Sequence, residues 1–384
     1  MTAKGFSVER VRHNESVDYI LISLIVLLLG IGVSILFSAS YYYAEKLFGD
    51  PLYFFKKQLI WIGLGVVGAV VLSRLDLEKL RKFIPWIILL AFVLTVLTFV
   101  PGIGREVLGA RRWIYVFGLS FQPSELVKLA LILYLAHIFS KKADRIETDP
   151  ASVLVPPFIL VVLFTALIYM QNDFSTAAFI FLISAFMFFI ARVRLLYFLL
   201  FGTVIVPFAG ILLFTKEHRV KRIIAFLNPE MDPLGTGYQV IASESALING
   251  GIWGKGLGEG AKKLGGLPEA YSDFVFAVLG EEMGFIGILA VLGLFIAFAL
   301  RSTSISINSE SKFGYYLGLG ITACIFWQSL LNIAVVGGIV PATGIPLPFF
   351  SAGGSLMVIT LCMCGLLLNL SHNWSNQSRE GSNV

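Results

Sequence analysis

The chain has 384 residues, 57% of them apolar and only 14% charged, with a formal net charge of +5. That balance excludes an ordinary soluble globular domain, in which about 25% of residues are charged. The 33 phenylalanines suit helices whose outer faces meet lipid, and the short apolar–polar alternation of an outer-membrane barrel is absent.

In chain order, residues 1–17 are polar and read as a cytoplasmic N-terminal segment. The apolar run that follows is too long for a signal-peptide core and lacks a small-residue cleavage site, so it reads as a retained first span. A stretch of about 20 apolar residues crosses a hydrocarbon core of roughly 30 Å. Spans are expected at 18–40, 58–73, 84–100, 122–140, 153–170, 175–192, 195–215, 274–299, 315–336 and 351–370, and residues 372–384 form a cytoplasmic tail. The expected fold is an all-α integral membrane protein: a polytopic bundle of about 10 transmembrane helices, residues 18–371, with one long extracytoplasmic loop at 216–272. Cys324, Cys362 and Cys364 all fall inside apolar helices; their spacing fits neither a metal site nor a disulfide framework.

Lys and Arg concentrate in alternate connections, as at Arg74–Lys82, Lys141–Arg145, Arg192–Arg194 and Arg301–Lys312. The positive-inside rule then places both termini in the cytoplasm. The long loop falls outside, and its seven basic residues are weak counter-evidence because long loops translocate largely regardless of charge. Topology accounts for the basic balance, so no nucleic-acid partner is called for.

The long loop holds a basic stretch (Lys216, Arg219, Lys221, Arg222), a turn-rich stretch around Asn228-Pro229, an apolar patch Val240–Ile248, and the glycine run Gly250–Gly260. The glycine spacing fits neither a Walker loop nor a dinucleotide fingerprint. A ligand loop and a plain re-entrant loop both remain open.

Ionisable residues near the bilayer are costly and point to function by default. Glu125 and Lys128 share one face of the fourth span at i, i+3, either as a structural ion pair or as part of a site. Asp173 lies in the turn before the sixth span, where it either caps that helix or serves chemistry. Ser272 and Asp273 open the eighth span, followed by Glu281 and Glu282 between Gly280 and Gly284. Asp273 reads either as a helix N-terminal carboxylate or as a general base facing a lipid-borne substrate. The small-residue pattern makes Glu281 and Glu282 mainly structural.

The distinctive stretches are Gly109-Ala110-Arg111-Arg112-Trp113, Phe121-Gln122-Pro123-Ser124-Glu125-Leu126-Val127-Lys128, Asn228-Pro229 with Asp232-Pro233-Leu234-Gly235, Gly254-Lys255-Gly256, Leu267-Pro268-Glu269-Ala270-Tyr271-Ser272-Asp273, Gly280-Glu281-Glu282 and Pro341–Phe349. In this order they resemble the SEDS (shape, elongation, division and sporulation) family of bacterial cell-wall polymerases over nearly the whole chain. The first two stretches look closer to its division member than to its elongation member. Three stretches depart from the family pattern: Gln171–Ser175, Ser243–Ser245 and Ser351–Ser355.

The resemblance implies a peptidoglycan glycosyltransferase of the bacterial cytoplasmic membrane. It would polymerise lipid II, an undecaprenyl-pyrophosphate-linked disaccharide-pentapeptide, with Asp273 as the catalytic carboxylate. It also implies a class B penicillin-binding transpeptidase and other divisome proteins as partners. An α-linked donor and a β-1,4 product require only one inversion. One base suffices, because pyrophosphate leaves without a proton. Arg111 and Arg112, then Lys128 and Lys255, are the expected cations for the leaving group, with Glu125 beside them. Asp173, Ser272, Glu281 and Glu282 are expected to support the site. A divalent cation (Mg or Mn) would share the charge work, although no metal motif is present. A lipid II flippase and a non-catalytic division scaffold are the alternatives.

Overall fold

The structure, a computed structural model, describes residues 18–107, 109–116, 119–146, 148–231, 235–261, 267 and 269–380. The N-terminal segment 1–17, Asp232–Leu234 and Pro268 lie outside these residues.

Each expected span is occupied by a helix. The first seven are α1 (Tyr19–Phe48), α2 (Tyr53–Arg74), α3 (Leu77–Leu97), α4 (Pro123–Lys141), α5 (Pro150–Met170), α6 (Phe174–Ile190) and α7 (Leu195–Phe214). After two helices of the long loop, α8 (Glu217–Leu227) and α9 (Thr236–Gly250), come α10 (Val275–Ile307), α11 (Lys312–Val336) and α12 (Gly354–Glu380). Among the described residues, eight of these are long and apolar enough to cross a membrane: α1–α5, α10, α11 and α12 up to Ser371. Helix α6 is apolar and shorter, with 17 residues. Helix α12 runs to Glu380, past the apolar span that ends at Ser371, so residues 372–380 are helical.

Local chemistry sets the helix ends. Asp18 caps α1 by accepting from the Leu21 amide at 2.9 Å, and its other oxygen pairs with Arg301 of α10 at 2.7 Å. Gly49 ends α1 in the left-handed region at φ 66°. From Asp18 to Ser38 on α1 is 20 residues, or about 30 Å of helix. Ser38 donates to Glu282 at 2.6 Å, so the same two helices are tied at two levels about one hydrocarbon thickness apart.

Two features depart from the sequence reading. The connection between α3 and α4 is a three-stranded antiparallel sheet, β1 (Gly104–Val107), β2 (Ala110–Val116) and β3 (Leu119–Phe121), so the long loop is not the sole structured segment outside the spans. Gly109 turns β1 into β2 at φ 75°. The strands are too short for alternation to announce them.

Helix α10 is broken inside its apolar run at Gly284 (φ 65°, ψ −167°), so that glycine marks a break rather than a continuous packing stripe. The freed backbone groups are not left bare. The amides of Phe285 and Ile286 donate to the carbonyls of Gly251 and Ile252 at 2.9 and 3.2 Å. The carbonyls of Glu281 and Glu282 accept from the amides of Lys255 and Gly256 at 3.1 and 3.0 Å. Unpaired backbone groups at membrane depth are tolerated only where protein covers them, and the glycine run supplies that cover. Gly254 at φ 81° lies against the backbone of Glu282 and Met283, where no side chain fits.

Helices α2 and α12 pack closely through small residues: Gly65 against Leu361, Gly68 against Cys362, and Gly365 against Ala69. The connection from α11 to α12 dips into the bundle. Phe349 and Phe350 are fully buried there against Phe295 of α10, and the Phe349 carbonyl meets α1 at Gly32.

Candidate active site

Asp273 sits in the turn before α10, and three elements hold that turn. The amides of Ser272 and Phe274 donate to the Glu269 carbonyl at 2.9 and 3.4 Å. Ser351 Oγ donates to the Ser272 carbonyl and accepts from the Leu347 amide, each at 2.7 Å. The Ala352 amide donates to the Tyr271 carbonyl at 2.9 Å. From α11, Asn332 Nδ2 donates to the Asp273 carbonyl at 2.8 Å and to the Ile345 carbonyl at 2.9 Å. Gly344, at φ 73°, leaves the space occupied by Asp273 Oδ2.

The carboxylate itself accepts from Ser272 Oγ at 3.0 Å and is partly exposed. Burial of its surroundings pushes its pKa above the ordinary range. The Ser272 hydrogen bond and the charges of Arg222 and Arg112 pull against that rise, while Asp173 adds to it. Glu269 is likewise raised, first by burial and then by the negative charge of Asp273. Three carboxyls (Asp273, Asp173 and Glu269) and two arginines therefore act on one another in one region.

Strand β2 and the α5–α6 turn supply Arg112 and Asp173. Alternation along the strand points Arg111 and Arg112 to opposite faces. Arg111 reaches outward to Glu106 at 3.2 Å. Arg112 turns in, 3.4 Å from Asp173 Oδ2, and donates to the Asn172 carbonyl at 3.3 Å. Asp173 Oδ1 accepts from the Thr176 amide at 3.2 Å, so this residue both caps α6 and holds an arginine. The two arginines expected to act together are thus separated by the pleat.

Glu125 and Lys128 form a buried ion pair at 2.8 Å. Lys128 also donates to Gln328 at 2.7 Å, and Gln328 donates to the Pro346 carbonyl at 2.9 Å. The pair therefore braces the dipping connection that frames Asp273. Lys255 is drawn to Glu281 at 3.7 Å and sits with the patch on broken α10 rather than among the charges acting on Asp273. Glu281 is fully buried and also accepts from the Ala261 amide at 3.2 Å, consistent with a structural role. Glu282 is committed to Ser38 of α1 and likewise stands apart from Asp273.

Arg222, Glu269 and Asn332 join the site although the sequence did not single them out. Arg222 lies on α8 and donates to the carbonyls of Ala342 and Thr343 at 3.3 and 3.4 Å. Its one available signal is the i, i+3 spacing with Arg219, which stacks on Tyr169 and Phe174. Among the described residues, a cavity of about 270 Å³ lies among α5, α6 and α7, and another of about 560 Å³ lies between the α4–α5, α6–α7 and α10–α11 connections, both away from Asp273.

Similarity to known proteins extends over nearly the whole chain. A "Probable peptidoglycan glycosyltransferase FtsW" of Trichlorobacter lovleyi is 41% identical over 354 residues, covering 92% of this chain and 93% of the relative. "Stage V sporulation protein E" of Bacillus subtilis is 38% identical over 357 residues, covering 93% and 97%. Among solved structures, a chain of a peptidoglycan synthase complex that coordinates polymerization and crosslinking matches with a TM-score of 0.73 and 27% identity, covering 93% and 98%. The rod shape determining protein RodA of Thermus thermophilus shares the fold, with a TM-score of 0.69 and 24% identity over 93% and 97%. The cell cycle protein family of FtsW, RodA and SpoVE matches residues 19–376, and the chain belongs to that family.

Proposed function

We propose that the chain is a peptidoglycan glycosyltransferase that polymerises lipid II into β-1,4 glycan strands, serving septal wall synthesis. One observation carries the mechanism: Asp273 is held at the mouth of α10 by Ser272 and Asn332, within electrostatic reach of two arginines, Arg112 and Arg222. A general base works best when its pKa approaches the working pH, which burial favours here. Asp273 takes the proton of the acceptor's 4-hydroxyl as that oxygen attacks the donor's anomeric carbon from the face opposite the pyrophosphate. The bond to pyrophosphate breaks in the same step, inverting the centre. Arg112 and Arg222 neutralise the departing charge, a task suited to the guanidinium fork. Ser272 and Asn332 orient the base.

Among the described residues, no three His, Cys, Asp or Glu side chains gather to hold a metal. In this reading Arg112 and Arg222 supply positive charge to the pyrophosphate, and a Mg or Mn ion shared with the substrate's phosphates would need only one or two carboxylates from the protein. The basic connections Arg74–Lys82 and Arg192–Arg194 support cytoplasmic termini, with Asp273 on the outer face of the bacterial cytoplasmic membrane. Likeness to a chain of a synthase complex that couples polymerization to crosslinking supports a crosslinking partner, a class B penicillin-binding transpeptidase.

The test is polymerisation of lipid II by purified protein. Asp273→Asn should abolish strand formation while expression and thermal unfolding stay at wild-type values. Undiminished strands from that variant would remove Asp273 from the mechanism.

A further inference from the structure

Five aromatic rings form a continuous surface at the outer ends of α1 and α2. Phe48 stacks on Tyr53 at 3.9 Å between centroids, Phe48 meets Phe54 at 5.9 Å, and Phe54 stacks on Tyr271 at 4.6 Å. Tyr43 stacks on Tyr271 at 4.9 Å with 29° between planes. Aromatics at a membrane boundary ordinarily anchor a span in the interface. Two facts set this group apart. Tyr271 belongs to the same turn as Asp273, two residues before it. Polar groups flank the surface: Lys57 Nζ donates to Tyr53 Oη at 2.6 Å and lies over that ring at 4.4 Å, and Glu269 hydrogen-bonds with Tyr271 beside Asp273. Tyr43 and Phe48 keep 38% and 49% of their surface exposed, so ring area remains for a ligand.

We infer that this aromatic surface is a saccharide subsite that holds the glycan strand next to the base. The chemistry fits a pyranose chain, whose C–H faces pack on flat rings while its hydroxyls reach flanking polar groups. A β-1,4 glycan presents such faces at every unit, so successive rings suit successive sugars. The three tyrosines add a hydroxyl at the ring edge at little cost in side-chain freedom. The surface runs into the turn that carries Asp273, so a strand lying on it brings one end to that carboxylate. This subsite rests on the polymerase reading above.

The experiment has two arms, using full-length protein in detergent micelles. In the first, strand lengths made from lipid II are compared for wild type, Tyr43→Leu and Tyr43→Trp. Leucine keeps apolar packing and removes the flat face; tryptophan restores the face. The second arm measures binding of a soluble, peptide-free β-1,4 glycan oligosaccharide to Asp273→Asn protein with and without Tyr43→Leu. The expected result is strands shortened at least about twofold by leucine and recovered by tryptophan, with oligosaccharide binding weakened about tenfold. Wild-type strand lengths together with unchanged binding overturn the subsite, leaving the polymerase reading intact. A wild-type protein that makes no strands even with its transpeptidase partner added overturns the polymerase reading, and the binding arm then decides the subsite alone. Phe54→Leu repeats both arms at a second ring, so a folding defect at Tyr43 does not leave the question open.

Discussion

The side-chain amide of Asn332 holds two carbonyls at once, that of Asp273 at 2.8 Å and that of Ile345 at 2.9 Å. One residue of α11 thereby locks the base-bearing turn to the dipping connection between α11 and α12. Its own Oδ1 is buried with no hydrogen-bond partner among the described residues, so the residue is placed for what its nitrogen does. Asn332→Leu should strip both carbonyls of their donor and cost about 1–3 kcal/mol. Thermal unfolding would record the loss, and polymerisation should fall further than the stability change alone accounts for. A variant of wild-type rate would mean that the turn holds Asp273 unaided.

The acid limb of the rate profile tests the charges around Asp273. A nearby cation favours the ionised carboxylate, so Arg222→Gln should raise the pKa of Asp273 and move the limb to higher pH. Asp173 acts in the opposite sense, so Asp173→Asn should move it to lower pH. Polymerisation rates measured from roughly pH 4, near the ordinary carboxylate range, up to neutrality would show both directions. Two limbs that shift together would contradict the assignment.

Strand β2 predicts unequal arginines. Arg112→Ala should lower the rate at least about tenfold, whereas Arg111→Ala removes only an exposed ion pair with Glu106, of little consequence to rate or fold. Steady-state rates for the two variants, compared at equal expression, decide it.

The Glu125–Lys128 pair braces the dipping connection through Gln328. Lys128→Met alone leaves a buried carboxylate uncompensated and should cost about 3–5 kcal/mol, while the double change Glu125→Gln with Lys128→Met should cost less. A double-mutant cycle by thermal unfolding measures the difference.

Gly284→Ala places a methyl against the glycine run at a positive φ and should destabilise the fold by at least about 1–2 kcal/mol. Loss of protection at the amides of Phe285 and Ile286 in hydrogen exchange would locate the damage at the patch on α10.

Helix positions were legible in the sequence because apolar length is a direct consequence of bilayer thickness, and α1–α7 and α10–α12 all begin near their expected places. Asp273 was legible as a carboxylate at the mouth of a span. The sheet before α4 was not, since its strands of 4, 7 and 3 residues carry no usable period. Lys255 is expected among the cations for the leaving group, and the structure places it 3.7 Å from Glu281, in a glycine run that closes a gap in α10, a partner that only the fold reveals. Arg222 and Asn332 were hidden for a different reason. Their roles depend on carbonyls far away in sequence, Ala342 and Thr343 for one and Asp273 for the other.

The pairing of α2 with α12 sets an order of events in biosynthesis. Helix α2 leaves the ribosome early, and its glycine-lined face stays without its partner until about 280 further residues have been made. Ser351 and Ala352, which hold the turn bearing Asp273, arrive just ahead of α12. A partly synthesised chain thus carries the reactive carboxylate before it has the means to aim it, and wall chemistry waits on insertion of the final span.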